Sequence, residues 1–137
     1  EDQKDGFDGI LICINVITKE ITYAAANNKP ILISNNQIIE QKVDKMPVGK
    51  GEKILPFSEY EINVDTEAII YIYTDGYADQ FGGEKGKKFK HKNLETLLSE
   101  INSKTNVEKK DILNERFEMW RGNLEQVDDV TLIGIKV

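Results

Sequence analysis

The sequence predicts a single α+β domain in which antiparallel strands are layered with helices. Short apolar runs rich in Ile dominate the first half, two helical stripes follow, and one apolar run closes the chain. Strands followed by a late block of helices favour an α+β fold over a doubly wound one. At 137 residues the chain suffices for one domain with a core and is too short for two ordinary ones.

The first half of the chain predicts two hairpins. Residues 10–17 form a nearly unbroken apolar run, and Ile21–Ala26 follows after a polar turn. Ile31–Ser34 and residues 37–43 are separated by a pair of asparagines, which favours a tight turn. We therefore expect four strands in two antiparallel pairs.

Three further strands are predicted along the chain. Residues 46–51 form a loop, because one proline and two glycines interrupt them. Residues 60–64 alternate polar and apolar side chains, which is typical of a half-buried strand. Ala68–Tyr73 is apolar on both faces, as a covered central strand would be. Residues 130–137 form the closing strand.

Two helices are predicted between the last two strands. Asn93 is placed to cap the first, and Thr105 with Glu108 has the spacing of a capping box ahead of the second. Gly122 is well placed to end the second helix. The apolar positions at helical spacing are Leu94, Leu97, Leu98 and Ile101 in the first helix, and Ile112, Leu113, Phe117 and Trp120 in the second. We expect these stripes, including both aromatic residues, to face the core.

Composition excludes several classes of protein. A net charge of −6 argues against a general nucleic-acid binder. One cysteine, Cys13, and one histidine, His91, exclude an internal disulfide and a zinc site of the usual kind. Cys13 lies in an apolar run, so we expect a buried thiol. With no membrane-spanning stretch or signal peptide in the sequence, we expect a soluble, cytoplasmic chain that makes no membrane contact itself, although its parent protein could be tethered to a membrane module.

Two acidic groups lie at predicted strand ends. Residues 74–79 (TDGYAD) directly follow the most apolar strand, and Asp128-Asp129 directly precede the closing strand. A carboxylate at a strand end is held by rigid backbone, and hard cations such as Mg²⁺ or Mn²⁺ prefer oxygen ligands. Asp-Gly after a strand usually forms a plain turn, and Asp128-Asp129 before a strand could likewise be a solvated loop. Residue types alone leave the metal-site and turn interpretations open.

Five ordered motifs resemble the SpoIIE branch of the protein phosphatase 2C-like (PPM) superfamily. The segment at residues 73–80 is similar to its second metal motif, and residues 128–133 (DDVTLI) to its closing motif. The other three matches are DGFD at residues 5–8, YAAANNKP at residues 23–30 and KMPVG at residues 45–49. Together they cover nearly the whole chain.

The resemblance implies an αββα sandwich of two antiparallel sheets flanked by helices, with two Mn²⁺ or Mg²⁺ ions at one edge. Asp75 and Asp128 would be metal ligands and catalytic residues, and Gly76 would let the chain approach the ions. Asp129 would lie beside the ligand Asp128 or bind the ion in its place, and Asp79 would hold a weaker accessory ion. A water activated by the ions would then hydrolyse phosphoserine or phosphothreonine without a phosphoenzyme.

One family motif is missing from the sequence. The family domain opens with Asp-x-x-Gly-His-Gly, whose Asp bridges the ions, and we expect this motif upstream of Asp5. Residues 1–137 would then be a partial domain that lacks its N-terminal elements and about half of the ligands. We predict weak metal binding, little or no activity of the isolated chain, and exposed apolar surface. Open sheet edges would also favour homo-oligomers.

In the branch that the chain resembles, such domains dephosphorylate anti-sigma-factor antagonists or similar regulators, so a phosphorylated regulatory protein is the expected partner. A non-catalytic interaction module on the same scaffold is the main alternative, and an unrelated cation-binding domain would need five chance matches. A basic stretch at residues 85–92 suits either a flap that attracts a phosphorylated substrate or a solvated loop. Its lysines are Lys85, Lys87, Lys88, Lys90 and Lys92. His91 within it is expected to be simply exposed.

Overall fold

The computed structural model describes residues 5–49 and 55–137, so the end of the predicted 46–51 loop lies outside the described residues. Their strands are β1 (Gly6–Phe7), β2 (Gly9–Ile14), β3 (Ile21–Ala26), β4 (Ile31–Ser34), β5 (Gln37–Ile39), β6 (Val48–Gly49), β7 (Tyr60–Ile62), β8 (Ala68–Tyr73), β9 (Phe81–Gly82), β10 (Lys87–Lys88) and β11 (Leu132–Lys136). The helices α1 (His91–Glu100) and α2 (Asn106–Arg121) lie between β10 and β11. The α+β class is confirmed.

Two compact units divide the chain. The first draws its described residues from Glu1–Asn35, Ile39–Ile72 and Ile133–Val137, and the second comprises Asn36–Ile38 and Tyr73–Leu132. The acidic segments predicted as a site both belong to the second unit.

The β2–β3 hairpin is the longest antiparallel pairing in the first unit. Gly9 pairs with Ala26 and Ile14 with Ile21, and β3 continues the sheet to β7. The predicted first strand ends earlier than residue 17 because the Asn15 side chain accepts the amides of Ile17 and Thr18, at 3.0 and 3.1 Å. A side chain that binds nearby backbone in this way favours a turn.

A second antiparallel sheet runs in the order β11-β8-β4-β5. Strands β4 and β8 pair from Ile31 with Tyr71 to Ser34 with Ala68. The buried core of the first unit combines side chains from both sheets: Ile21, Tyr23, Ala25, Leu32, Ile62, Ala68 and Ile70. The predicted packing of two antiparallel sheets is thus confirmed, with the hydrophobic effect as its driving force.

Three strands are shorter than predicted. The 37–43 strand ends at Ile39, the 60–64 strand at Ile62, and the closing strand spans Leu132–Lys136. The asparagine pair before β5 does make the predicted tight turn, since Asn35 and Asn36 have φ of 51° and 60°.

The prediction of a buried Cys13 is wrong. Cys13 is exposed, and Leu11 two residues earlier is 74% exposed. Alternate residues of a strand share a face, so β2 directs both side chains away from the core. Leu11 and Cys13 therefore form exposed apolar surface on β2.

In the second unit, the whole predicted stripe of α1 is buried, whereas α2 buries its predicted stripe only in part. The four apolar positions of α1 are buried, and in α2 Phe117 is buried whereas Trp120 is half-buried. Thr105 and Glu108 form the predicted capping box, and Gly122 (φ 56°) ends the helix. The predicted cap at Asn93 is wrong: α1 begins at His91, and the side-chain amide Nδ2 of Asn93 donates to the Phe89 carbonyl at 2.6 Å.

Among residues 5–49 and 55–137, no helix is both long and apolar enough to cross a bilayer.

Candidate metal site at the acidic loops

The first acidic segment is a tight turn that directly follows β8. The Asp79 amide donates to the Asp75 carbonyl at 2.8 Å, which closes one helical turn over residues 75–79. Gly76, Tyr77, Ala78 and Gln80 are buried, whereas Asp75 and Asp79 are only partly covered. The turn therefore fixes its backbone while it leaves two carboxylates near the surface.

The Thr74 hydroxyl joins this turn to the second acidic segment. It donates to the Asp129 carbonyl at 3.0 Å and accepts the Thr131 amide at 3.0 Å. The Thr74 amide also donates to the Thr131 carbonyl at 3.0 Å. The backbone before Asp75 and the backbone after Asp128 are thus held side by side.

Gly76 allows the two segments to approach closely. A Cβ at this position would lie 2.2 Å from the Asp129 carbonyl oxygen, well inside van der Waals contact. Only glycine fits here without displacing the Asp129 backbone. The family resemblance predicted that Gly76 lets the backbone approach the metal ions. In the structure, Gly76 closely approaches the backbone of the second acidic segment.

Gln80 provides a second link that sequence reasoning missed. Its side chain is fully buried, and its Nε2 donates to the Glu125 carbonyl at 2.9 Å and to the Phe81 carbonyl at 3.0 Å. Its Oε1 accepts the Val127 amide at 3.4 Å. Gln80 thereby fixes the backbone that leads into Asp128. The residue lies within a recognised motif, but only the fold shows what its amide binds.

Aromatic rings attach helix α2 to the same turn. Tyr77 contacts Phe89 and Phe117, with ring centroids 5.3 and 5.1 Å apart, and its hydroxyl donates to the Leu113 carbonyl at 2.7 Å. Burial raises the pKa of the Tyr77 hydroxyl to about 12. Trp120 Nε1 donates to the Gln80 carbonyl at 2.9 Å. The predicted aromatic positions of α2 thus stabilise the acidic turn.

The Asp75 carboxylate has an oxygen without a hydrogen-bond donor. Its Oδ1 is buried, and no donor is aligned with it among the described residues. His91 Nε2 lies 3.3 Å from this oxygen, a distance that suits an ion pair, but the geometry does not suit a hydrogen bond. A buried carboxylate oxygen is normally hydrogen-bonded, so this one is available to a ligand.

The prediction that His91 is simply exposed is therefore wrong. Its Nδ1 is buried, and its ring lies 5.6 Å from the Tyr73 ring, centroid to centroid. Burial raises the pKa of the Tyr73 hydroxyl, and the negative charges of Glu95 and Asp75 raise it further. His91 is 16 positions from Asp75, and only the fold brings them together.

The remaining acidic residues have different surroundings. Asp128 and Asp129 are exposed, and Asp128 Oδ1 accepts the Asp129 amide at 2.8 Å. Asp79 Oδ1 lies 3.5 Å from Lys88 Nζ, which comes from the lysine-containing strand β10. The basic stretch is therefore a β9–β10 hairpin followed by α1, with one lysine beside the acidic turn.

These residues fit part of a site for a hard divalent cation. They offer carboxylate oxygens, one of them buried without a donor, and no thiolate is present among them. Within the part of the chain that the structure describes, however, no three His, Cys, Asp or Glu side chains form a group that could hold a metal ion. A complete site would need additional ligands.

Comparison with known sequences decides the family. The sequence model of the family described as Stage II sporulation protein E (SpoIIE) matches residues 2–137. The chain belongs to the SpoIIE family. Protein IcfG of Synechocystis is 24% identical to it over 125 residues, which are 89% of this chain and 19% of that protein.

Two solved phosphatase domains share the fold. The SiaA-PP2C domain of Pseudomonas aeruginosa superimposes with a TM-score of 0.84 at 21% identity. The match covers 95% of this chain and 51% of the SiaA chain. The phosphatase domain of SpoIIE, the cell fate determinant of Bacillus subtilis, gives a TM-score of 0.65 at 12% identity. This match covers 94% of this chain and 57% of the SpoIIE chain. This SpoIIE-family chain has the PP2C fold and spans about half the length of these domains.

Proposed function

We propose that this chain is the C-terminal part of a metal-dependent protein serine/threonine phosphatase domain. The observation that carries the proposal is the buried, donor-free Oδ1 of Asp75 on a turn that is hydrogen-bonded to the Asp128-Asp129 segment. Membership of the SpoIIE family supports the same activity. The remaining ligands would come from an Asp-x-x-Gly-His-Gly segment upstream of this chain.

Two Mn²⁺ or Mg²⁺ ions, when bound, would activate a water molecule and neutralise the charge of the phosphoryl group. Asp75 and Asp128 would hold them, and Asp129 would neighbour or replace Asp128. Asp79 would hold an accessory ion only after Lys88 moves away, because Lys88 now balances its charge at 3.5 Å.

The neighbouring residues would keep these ligands in place. Thr74 and Gly76 set the approach of the two acidic segments, and Gln80 fixes the backbone before Asp128. Ligands held by rigid backbone lose little freedom on binding an ion, which favours a defined geometry.

The substrate would be a phosphorylated regulatory protein of the anti-sigma-factor antagonist type. The lysines of β10 support a phosphorylated partner, because Lys87 and Lys88 are exposed and Lys88 lies beside the acidic turn at Asp79. Lysine side chains close to a phosphatase site attract phosphate groups and raise the rate of encounter.

A non-catalytic interaction module on the phosphatase fold is the second candidate. It is favoured by the lack of a three-residue metal group in residues 5–49 and 55–137. Such a module would bind its partner without a divalent ion.

The test is Mn²⁺-dependent hydrolysis of p-nitrophenyl phosphate and of a phosphothreonine peptide. Three proteins are compared: this chain, the chain extended upstream through the missing motif, and the extended chain with Asp75→Asn. Asp111→Asn in the extended chain is the matched control, because Asp111 is an exposed aspartate on α2.

Activity that is confined to the extended chain, lost in Asp75→Asn and kept in Asp111→Asn is the expected result. An extended chain that folds, as judged by circular dichroism, but hydrolyses neither substrate would support the interaction module instead.

A further inference from the structure

His91 and Asp75 form a contact that the proposed phosphatase mechanism does not use. His91 Nε2 lies 3.3 Å from Asp75 Oδ1, and both residues are partly buried, with side chains 43% and 29% exposed. The contacting Asp75 oxygen is itself buried and lacks any aligned donor. Among the described residues, the imidazole is thus the group best placed to restrain this carboxylate.

Two backbone hydrogen bonds hold the chain just before His91. The Lys90 amide donates to the Ala78 carbonyl at 2.8 Å, and the Phe89 amide donates to the Gln80 carbonyl at 3.0 Å. These bonds attach the residues just before α1 to the end of the acidic turn. Lys90 has a φ of 78°, a conformation that non-glycine residues rarely adopt, so the turn into α1 is specifically shaped.

The ring of His91 is restrained as well. It lies against the Tyr73 ring at 5.6 Å with an interplanar angle of 52°, and Tyr73 is two residues before Asp75. The contacts with the Tyr73 ring and with the Asp75 carboxylate together restrain the orientation of the imidazole.

We propose that His91 is a positioning residue that orients the Asp75 carboxylate for a divalent cation. His91 Nε2 lies 3.3 Å from Asp75 Oδ1 without the alignment of a hydrogen bond, and in the tautomer that carries its proton on Nε2 a side-chain rotation would supply that alignment. The carboxylate then keeps its remaining lone pairs for the ion. Partners of this kind commonly change metal affinity by about 10- to 100-fold. The inference rests on the proposed role of Asp75 as a ligand.

Paramagnetic broadening by Mn²⁺ tests the inference on this chain as it stands. In a ¹⁵N-labelled sample, loss of the Gly76 amide signal during a Mn²⁺ titration gives a site-specific Kd, even when binding is weak. Two variants distinguish the effect of the His91 ring from the effect of its hydrogen-bond donor. His91→Phe keeps a ring against Tyr73 and removes the donor, whereas His91→Gln restores an amide donor at a similar reach.

Two further variants provide the controls. Asp75→Asn tests whether the ion binds at the proposed ligand at all. Lys92→Ala removes an exposed cation from the first turn of α1, and therefore measures the effect of charge near the site. Thermal unfolding of every variant shows whether a weaker Kd merely reflects a less stable fold.

His91→Phe is expected to raise the Mn²⁺ Kd by about tenfold or more, whereas His91→Gln and Lys92→Ala stay within about threefold of wild type. His91→Phe with an unchanged Kd would overturn the inference while Asp75→Asn still abolished broadening, so the proposed function would survive. An equal loss in His91→Gln would also overturn it, because donor restoration would have failed. If Gly76 broadens equally in wild type and Asp75→Asn, or in neither, the proposed ligand role fails and the inference with it.

Discussion

Asp44 in the first unit and Asp75 in the second are both partly buried aspartates in loops, yet their carboxylates have opposite surroundings. Asp44 Oδ1 accepts the Tyr60 hydroxyl at 2.6 Å, and its Oδ2 accepts the Ser58 amide at 2.7 Å. The Tyr60 hydrogen bond, and after it the Ser58 amide, lower the pKa of Asp44. Asp75 Oδ1 has no aligned donor.

This difference separates a structural carboxylate from one that is available to a ligand. Both oxygens of Asp44 are used to connect the chain around residues 44 and 58–60, whereas an oxygen of Asp75 is left for an external partner. Removal of a satisfied carboxylate should destabilise the fold, and removal of an unsatisfied one should affect binding instead. Substitutions of the two aspartates test this comparison, and two others test the contacts that hold the Asp75 turn against the Asp128 segment.

Gly76→Ala should have the largest effect on stability. The added Cβ would lie 2.2 Å from the Asp129 carbonyl, so the two acidic segments must separate. We expect the free energy of unfolding to fall by about 3 kcal/mol, measured by urea denaturation. In the control Gly86→Ala the new Cβ meets open space, and only the left-handed backbone costs about 1 kcal/mol. Equal losses in both variants would show that the close approach at Gly76 is not rigid.

Gln80→Leu should have the next largest effect on stability. It keeps the approximate volume of a fully buried side chain but leaves the Glu125 carbonyl and the Val127 amide without their partner. The expected loss of unfolding free energy is about 2 kcal/mol. Gln37→Leu, at an exposed glutamine, should change it by less than about 0.5 kcal/mol. An insensitive Gln80 would mean that the Asp128 segment is held by other contacts.

Asp44→Asn should lower the free energy of unfolding by a smaller amount, and the loss should depend on pH. Because the folded-state pKa of Asp44 is lowered, its contribution is present above the ordinary aspartate pKa and disappears as pH falls through the lowered value. We expect a loss of about 1 kcal/mol at neutral pH, after allowance for solvent screening. The difference in unfolding free energy between wild type and variant, from urea denaturation, should shrink as pH falls below the ordinary aspartate pKa and vanish below the lowered one. A gap that stays constant with pH would contradict the assignment.

Asp75→Asn should have the smallest effect on stability. The side chain has no aligned donor to lose at Oδ1, so the free energy of unfolding should stay within about 0.5 kcal/mol of wild type. Asp111→Asn, an exposed change on α2, sets the scale of a neutral substitution. If Asp75→Asn instead destabilised the chain as much as Asp44→Asn, the contrast between the two carboxylates would be lost.

The fold was predictable wherever side-chain period and turn chemistry agree. The alternating and β-branched runs located the strands, and the Asn35-Asn36 turn and the Thr105–Glu108 capping box are as predicted. Strand ends were less predictable, because Asn15 binds two backbone amides and ends β2 early. Exposure of Cys13 was also missed, since an apolar run does not show which face of a strand is covered.

The sequence by itself determined the family and the acidic segments, because short motifs at Asp75 and Asp128 are local in the chain. Their identification as metal ligands stays a prediction. Tertiary structure alone decided which residues surround them. His91 reaches Asp75, Gln80 reaches Val127, and Thr74 reaches Asp129 across 16 to 55 positions. Contacts of that separation depend on how strands and helices pack, and no local pattern of residues encodes them.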